Sequence, residues 1–118
     1  MPAIGPQRIL VVDDEPLVCA SICMLLCVDG HQVTLAESGE EALAKFDPAR
    51  FDVVLTDFKM PGMKGDELAR EIKSRAPSKP IIMVTGFPPP QTPPEIACVV
   101  LKPFHVEDLR EALAHVAA

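Results

Sequence analysis

Two acidic groups stand where apolar runs end. The stretch "ILVVDDEP" at 9–16 passes from four apolar residues straight into Asp13, Asp14 and Glu15, and "FDVVLTD" at 51–57 ends in Asp57. Two more runs end in groups that complement an acid: "IIMVTG" in Thr85-Gly86, and "CVVLK" in Lys102, followed by Pro103. Hard carboxylate oxygens hold Mg²⁺, usually through one or two carboxylates plus water and phosphate oxygens. A carboxylate is also a nucleophile toward phosphorus and forms an aspartyl phosphate. Phosphoryl transfer asks chiefly for positioning and charge neutralisation. A divalent cation and a lysine ammonium would supply the positive charge, and a threonine hydroxyl would donate to a phosphoryl oxygen. A single Asp-Asp pair is commonly a solvated turn. That plainer reading weakens when a second strand delivers another aspartate to the same edge.

For these groups to meet, the elements carrying them must run parallel. Residues 8–13, 51–57, 81–86 and 98–102 are short apolar runs without the alternation of a half-wet sheet, and "HQVTLAE" at 31–37 alternates. Helical patterns fill 15–28, 39–47, 65–76 and 106–117. Pro16 falls in a first turn and Asp29-Gly30 stops that helix. Ser38 with Glu41 makes a capping-box pattern. Strands alternating with helices predict a doubly wound α/β fold of the flavodoxin-like type, with five parallel strands in the order 2-1-3-4-5. In such sheets the ligand cleft lies beyond the carboxyl ends of the strands, where Asp13, Asp14, Asp57, Thr85 and Lys102 would converge.

The totals bound the function classes. A chain of 118 residues fits one domain, and 48% hydrophobic with 24% charged residues reads as globular. A net charge of -6 argues against direct nucleic-acid binding. No apolar run approaches the ~20 residues of a membrane span. No charged segment followed by an apolar one marks a signal peptide, so the chain is read as cytoplasmic. Of the four cysteines, Cys19, Cys23 and Cys27 are spaced for one helix face. Without a C-x-x-C pair or a partner histidine they read as small apolar residues rather than a metal or redox site.

The set "VVDDEP", "DFKMPGMKG", "VTG" and "LKPF" resembles the receiver domain of two-component response regulators, over residues 8–116. The resemblance implies that Asp57 is the phosphoacceptor, supplied by a histidine kinase or a phosphotransfer protein. It implies Mg²⁺ held by Asp14 and Asp57, with Asp13 holding a metal-bound water and Lys59 contributing its backbone carbonyl. It gives Thr85 and Lys102 to the phosphoryl group and a cis bond to Lys102-Pro103. The domain would catalyse only its own phosphorylation and dephosphorylation, as a signalling switch. The whole of 1–118 is expected to be a single receiver domain, with 1–7 a loose N-terminal segment.

Three features depart from that family. The aromatic residue often found three positions before the lysine is replaced by Val99. Five of the seven residues from 88 to 94 are proline, so the family's fourth helix should be shortened or replaced by a polyproline-like loop with at most one turn near 93–97. Residues 17–28 carry no charge, and Val18, Ile22, Leu25 and Leu26 make the expected core stripe. Cys23, Met24, Cys27 and Val28 are then left toward solvent, an apolar surface suited to a kinase or phosphotransfer helix or to a homodimer. Lys59 and Phe87, two positions past Asp57 and Thr85, should flank the water path to the phosphate. His31, His105 and His115 read as surface or cap residues.

Other classes fit less well. A phosphatase or phosphotransferase on a small substrate needs a cap, and no insertion supplies one. A flavodoxin needs a hydroxyl- and glycine-rich phosphate loop after the first strand, where "DDEP" would repel phosphate. A constitutive pseudo-receiver would not need the acceptor chemistry that is present.

Overall fold

The computed structural model describes residues 4–117, so the first three positions of the 1–7 segment lie outside the described residues. Its strands are β1 (Arg8–Val12), β2 (Gln32–Ala36), β3 (Val53–Thr56), β4 (Ile81–Thr85) and β5 (Cys98–Leu101). Its helices are α1 (Pro16–Val28), α2 (Gly39–Lys45), α3 (Gly65–Arg75) and α4 (Val106–Ala117). The sheet is parallel throughout, in the order β2-β1-β3-β4-β5. Register pairs Val12 with Ala36 on one side and with Thr56 on the other. The next residues along β1 and β3 are Asp13 and Asp57, which leave the sheet side by side.

The continuous apolar runs follow from the layering. Successive side chains of β1 point to opposite faces, and both faces are covered. Leu10 and Val12 pack with Ala42 of α2 and with Leu68, Ala69 and Ile72 of α3. Ile9 and Val11 pack with Ile22 and Leu26 of α1 and with Leu109 and Leu113 of α4. β3 and β4 are buried along their whole length, whereas the edge strands β2 and β5 are partly wet.

Local chemistry sets the helix ends. α1 begins with Pro16, whose missing N–H costs nothing in a first turn. It ends in a paired cap: Gly30, at φ 87, donates to Cys27 O, and His31 donates to Leu26 O. Positive φ is what glycine supplies at that position. Ser38 Oγ accepts from Glu41 N–H at 3.0 Å. The reciprocal bond differs from the expected capping box, because Glu41 Oε1 accepts instead from Glu37 N–H, one residue earlier. α2 stops at Lys45, two residues short of the expected end. Pro48 disfavours helix at Asp47, and Phe46 turns inward to stack on Phe51 with ring centroids 6.4 Å apart.

The proline-rich segment forms no helix. Its one turn closes where Ile96 N–H meets Pro93 O at 3.0 Å, and the Ile96 side chain is buried in the α2–α3 layer. Among the described residues, four helices therefore accompany the five strands. Of the surface or cap position expected for His31, the cap holds, since its N–H closes the end of α1, and the surface position does not. His31 is buried, because Gly30 turns it under the start of the sheet, where its Nδ1 accepts from Gln7 N–H at 2.9 Å. α1 also differs in detail. Cys19 joins Ile22 and Leu26 as a fully buried residue, while Val18 and Leu25 are only half-buried. Leu17, Met24 and Val28 are 83%, 63% and 77% exposed. Among the described residues, no helix is long and apolar enough to cross a membrane.

Candidate functional site

The carboxyl ends of β1, β3 and β5 bring one lysine onto two aspartates. Lys102 Nζ lies 2.7 Å from Asp13 Oδ2 and 3.1 Å from Asp57 Oδ2. Asp14 stands beside them, more open to solvent. Oxygens from Asp13, Asp14 and Asp57 all fall within 4.8 Å of one another. Such a set of hard, negatively charged donors fits a divalent cation that prefers oxygen ligands.

Backbone contacts fix each acid. Asp13 Oδ1 accepts from Glu15 N–H at 2.9 Å, and Asp57 Oδ1 accepts from Phe58 N–H at 2.6 Å. Asp57 N–H reaches back to Val12 O at 2.9 Å, locking β3 to β1 at the point where both acids emerge. Thr56 Oγ1 donates to Asp57 O at 2.8 Å. Asp13 and Asp57 are 1% and 6% exposed, so their charges are held largely out of water.

The electrostatics follow from that burial. Desolvation raises the Asp13 carboxyl above its ordinary range, more than its hydrogen bonds to Lys102 and to Glu15 N–H lower it, and the charge of Asp57 adds to the rise. Burial works to lower the Lys102 ammonium, but the two aspartates outweigh it and its pKa is raised. Lysine and Asp13 are thus partners, and the lysine stays charged. Cys19, whose thiol donates to Asp13 O at 3.2 Å, is pushed up to about 11 by burial and by the nearby Asp13 charge.

Thr85 and Lys59 sit at the margins of this cluster. Thr85 ends β4, fully buried, and its Oγ1 accepts from Phe87 N–H at 3.1 Å, which leaves the hydroxyl hydrogen free to donate. Its carbonyl accepts from Lys102 N–H at 3.0 Å, tying the ends of β4 and β5 together. Lys59 makes no ion pair with the acids, and its Nζ lies 5.0 Å from the centroid of the Phe87 ring. The Lys102-Pro103 bond is cis. Val99 is half-buried against the α2–α3 layer.

Gly65 is a site residue that sequence reasoning missed. A Cβ built there would lie 2.0 Å from Asp57 O and 2.9 Å from Asp57 C. Gly65 N–H also donates to Phe58 O at 2.9 Å. The loop from Asp57 thus closes directly onto the backbone of the central acid, and only glycine fits. The available signal was a glycine at the very start of the helical pattern 65–76, where the stretch "DFKMPGMKG" ends.

The family model of the response regulator receiver domain matches residues 9–114. The chain belongs to this family. Receiver domains act as signalling switches of two-component systems. Among curated relatives, the transcriptional regulatory protein ZraR of Salmonella typhimurium is 38% identical over 94% of this chain and 27% of its own length. The sensory transduction protein RegX3 of Mycobacterium tuberculosis is 39% identical over 66% of this chain and 34% of its own length. This receiver domain therefore spans about a third or less of those relatives. Among solved structures, the chemotaxis protein CheY4 of Vibrio cholerae superposes with a TM-score of 0.87 at 32% identity, covering 95% of this chain and 99% of that one. The response regulator TrrA of Thermotoga maritima, solved with Mg²⁺ and a beryllofluoride group, superposes at 0.85 with 34% identity over 93% and 98% of the two chains. TrrA has also been solved in complex with the histidine kinase ThkA, matching at 0.84.

Proposed function

We propose that Asp57 is the phosphoacceptor of a Mg²⁺-dependent phosphorelay, supplied by a histidine kinase or a phosphotransfer protein. The observation that carries this reading is the Asp57 carboxylate, buried at the sheet edge, with Lys102 Nζ at 3.1 Å and two further aspartates within ligand reach. The Mg²⁺-bound TrrA structure and the TrrA–ThkA complex support the metal and the donor class by likeness.

Asp13, Asp14 and Asp57, with the Lys59 backbone carbonyl, would hold the cation, Asp13 through a water. The cation would neutralise charge on the phosphoryl oxygens. An Asp57 oxygen attacks phosphorus, and the bond to the donor imidazole nitrogen breaks. The electron pair leaves on that nitrogen, which takes a proton from solvent. Phe58 N–H orients the Asp57 carboxylate for this attack. Lys102 then pairs with the phosphoryl group, and Thr85 donates its free hydroxyl hydrogen to a phosphoryl oxygen. Water attack on phosphorus then breaks the Asp57 oxygen–phosphorus bond and releases inorganic phosphate and the free carboxylate, so the domain catalyses only its own phosphorylation and dephosphorylation.

Recruiting Thr85 pulls on Phe87 through their hydrogen bond, and so on the proline-rich loop that begins there. A charge that favours one of two loop positions is the form such a switch takes. With no helix between β4 and β5, output runs through this loop and not through a dimer packed on the helix that other receiver domains carry there. Residues 1–118 act as one receiver domain, and a cytoplasmic location goes with this reading. The exposed apolar surface of α1 is the docking face for the donor or for a second copy; Met24→Lys leaving phosphotransfer and oligomeric state both unchanged would remove that assignment. The acceptor itself is tested by phosphorylation from a phosphohistidine donor, borohydride reduction and peptide mass mapping. Homoserine at position 57 is expected; the modification at any other aspartate overturns the reading.

A further inference from the structure

The structure splits the three helical cysteines into one buried thiol and one surface pair. Cys19 is committed to the Asp13 carbonyl inside the fold. Cys23 and Cys27 lie one turn further along α1 with their sulfurs 3.7 Å apart, Cys27 exposed and Cys23 half-buried. Helical residues four apart have Cβ atoms ~5–6 Å apart. A disulfide needs about 3.5–4.5 Å. The pair therefore cannot close as a disulfide without distorting the helix, and it persists as a dithiol.

Two aligned thiols suit a soft metal ion, because thiolates select soft cations. Bonds of ~2.3 Å to each sulfur span ~4.6 Å when the ion is linear and ~3.8 Å at a tetrahedral angle. The observed separation is at the bent end of that range. Opening it by roughly 0.9 Å for a linear ion takes only a side-chain rotation on an exposed helix face. Among the described residues, the one cluster of three or more histidine, cysteine or acidic ligands is the aspartate site. No closed four-ligand zinc site is therefore built around the thiols, and the ion that fits is one satisfied by two soft donors. Burial, then the hydrogen bond and charge of Cys27, raise the Cys23 thiol, so Cys23 keeps its proton until an ion displaces it.

We infer that Cys23 and Cys27 form a surface binding site for a soft monovalent d¹⁰ cation of the Cu(I) class. On binding, each thiol releases a proton to solvent and two sulfur–metal bonds form, with the ion's oxidation state unchanged. Anaerobic Cu(I), competed against a chromogenic chelator, tests this. The wild-type protein should withdraw one equivalent, and Cys98→Ser should do the same. Cys23→Ser and Cys27→Ser should each bind at least tenfold more weakly, with unchanged helical circular dichroism. Should Cys23→Ser unfold, Cys27→Ser at the exposed position decides alone. A wild type that withdraws no copper, or a Cys23→Ser/Cys27→Ser double variant that withdraws as much, overturns the inference.

Discussion

Replacing Gly65 with alanine should damage both the fold and the chemistry, although it adds a single methyl group at a helix start. On helix propensity alone the change is favourable by up to ~1 kcal/mol. That gain is largely the lower entropy of the unfolded chain, about 0.4–1 kcal/mol for such a change. Sterics oppose it: the new Cβ would sit 2.0 Å from Asp57 O and 3.0 Å from Phe58 Cα, and both are backbone atoms. Relief needs a shift of more than an ångström in the chain carrying the central acid, of the kind that costs ~1–3 kcal/mol in overpacked sites. The net effect should be a loss of about 1 kcal/mol, or roughly 3–6 °C in Tm for a domain of this size. Misplacing a reacting group by about 1 Å costs up to ~10²-fold in rate. Phosphorylation by acetyl phosphate should therefore slow by well over tenfold. Gly39→Ala is the milder comparison at a helix start, because the nearest atoms its Cβ meets, at 2.9 Å, belong to the Met63 side chain and not to the backbone of an acid. Thermal unfolding by circular dichroism and a phosphorylation time course read both effects. A Gly65→Ala protein as stable and as quickly phosphorylated as Gly39→Ala would refute the close-approach argument.

Lys102→Met leaves Asp13 and Asp57 without their cation at nearly buried positions, and should cost toward the low end of ~3–5 kcal/mol in metal-free buffer. Added Mg²⁺ should return part of that loss, as read by denaturant midpoints with and without the metal. Ser38→Ala removes the α2 cap and should cost about 1 kcal/mol by urea melt while leaving phosphorylation unchanged. Stability should fall in acid. Hydrogen bonding to Arg110 lowers the Asp29 carboxyl below 3.8, and hydrogen bonds from Arg8 lower that of Asp52 below the same value. Their contribution is therefore full above the unfolded value and is lost as pH falls through the lower folded values. Asp52→Asn should flatten the Tm-versus-pH slope below pH ~4; an unchanged slope would mean that this pair contributes nothing.

The frame was legible because parallel strands buried on both faces must be apolar throughout, and each such run ended in a residue with chemistry. Reading Asp13, Asp57, Thr85 and Lys102 as strand ends was enough to place them on one edge. The proline run at 88–94 likewise announced the missing helix. Other details had no sequence signal of their own. α1 is apolar almost all round, so periodicity could not rank Cys19 above Val18 or Leu25 for burial. His31 is buried because of the cap at Gly30 and a bond to Gln7 from a distant segment, neither of which a local pattern reveals. Gly65 looks like any loop glycine until the loop is closed onto Asp57. The lysine's simultaneous hold on two acids depends on a separation of 89 residues for one and 45 for the other.

The central claim is that Asp57 takes a phosphoryl group with the help of a divalent cation held beside it. Intact-mass spectrometry after incubation with acetyl phosphate tests it most directly, with and without Mg²⁺, for the wild type and Asp57→Asn. Without Trp or Tyr the chain offers little optical signal, so mass is the suitable readout. One added phosphoryl group, absent without Mg²⁺ and absent in Asp57→Asn, is the predicted result. No adduct from acetyl phosphate or from a phosphohistidine donor, or an equal adduct on Asp57→Asn, would contradict the account.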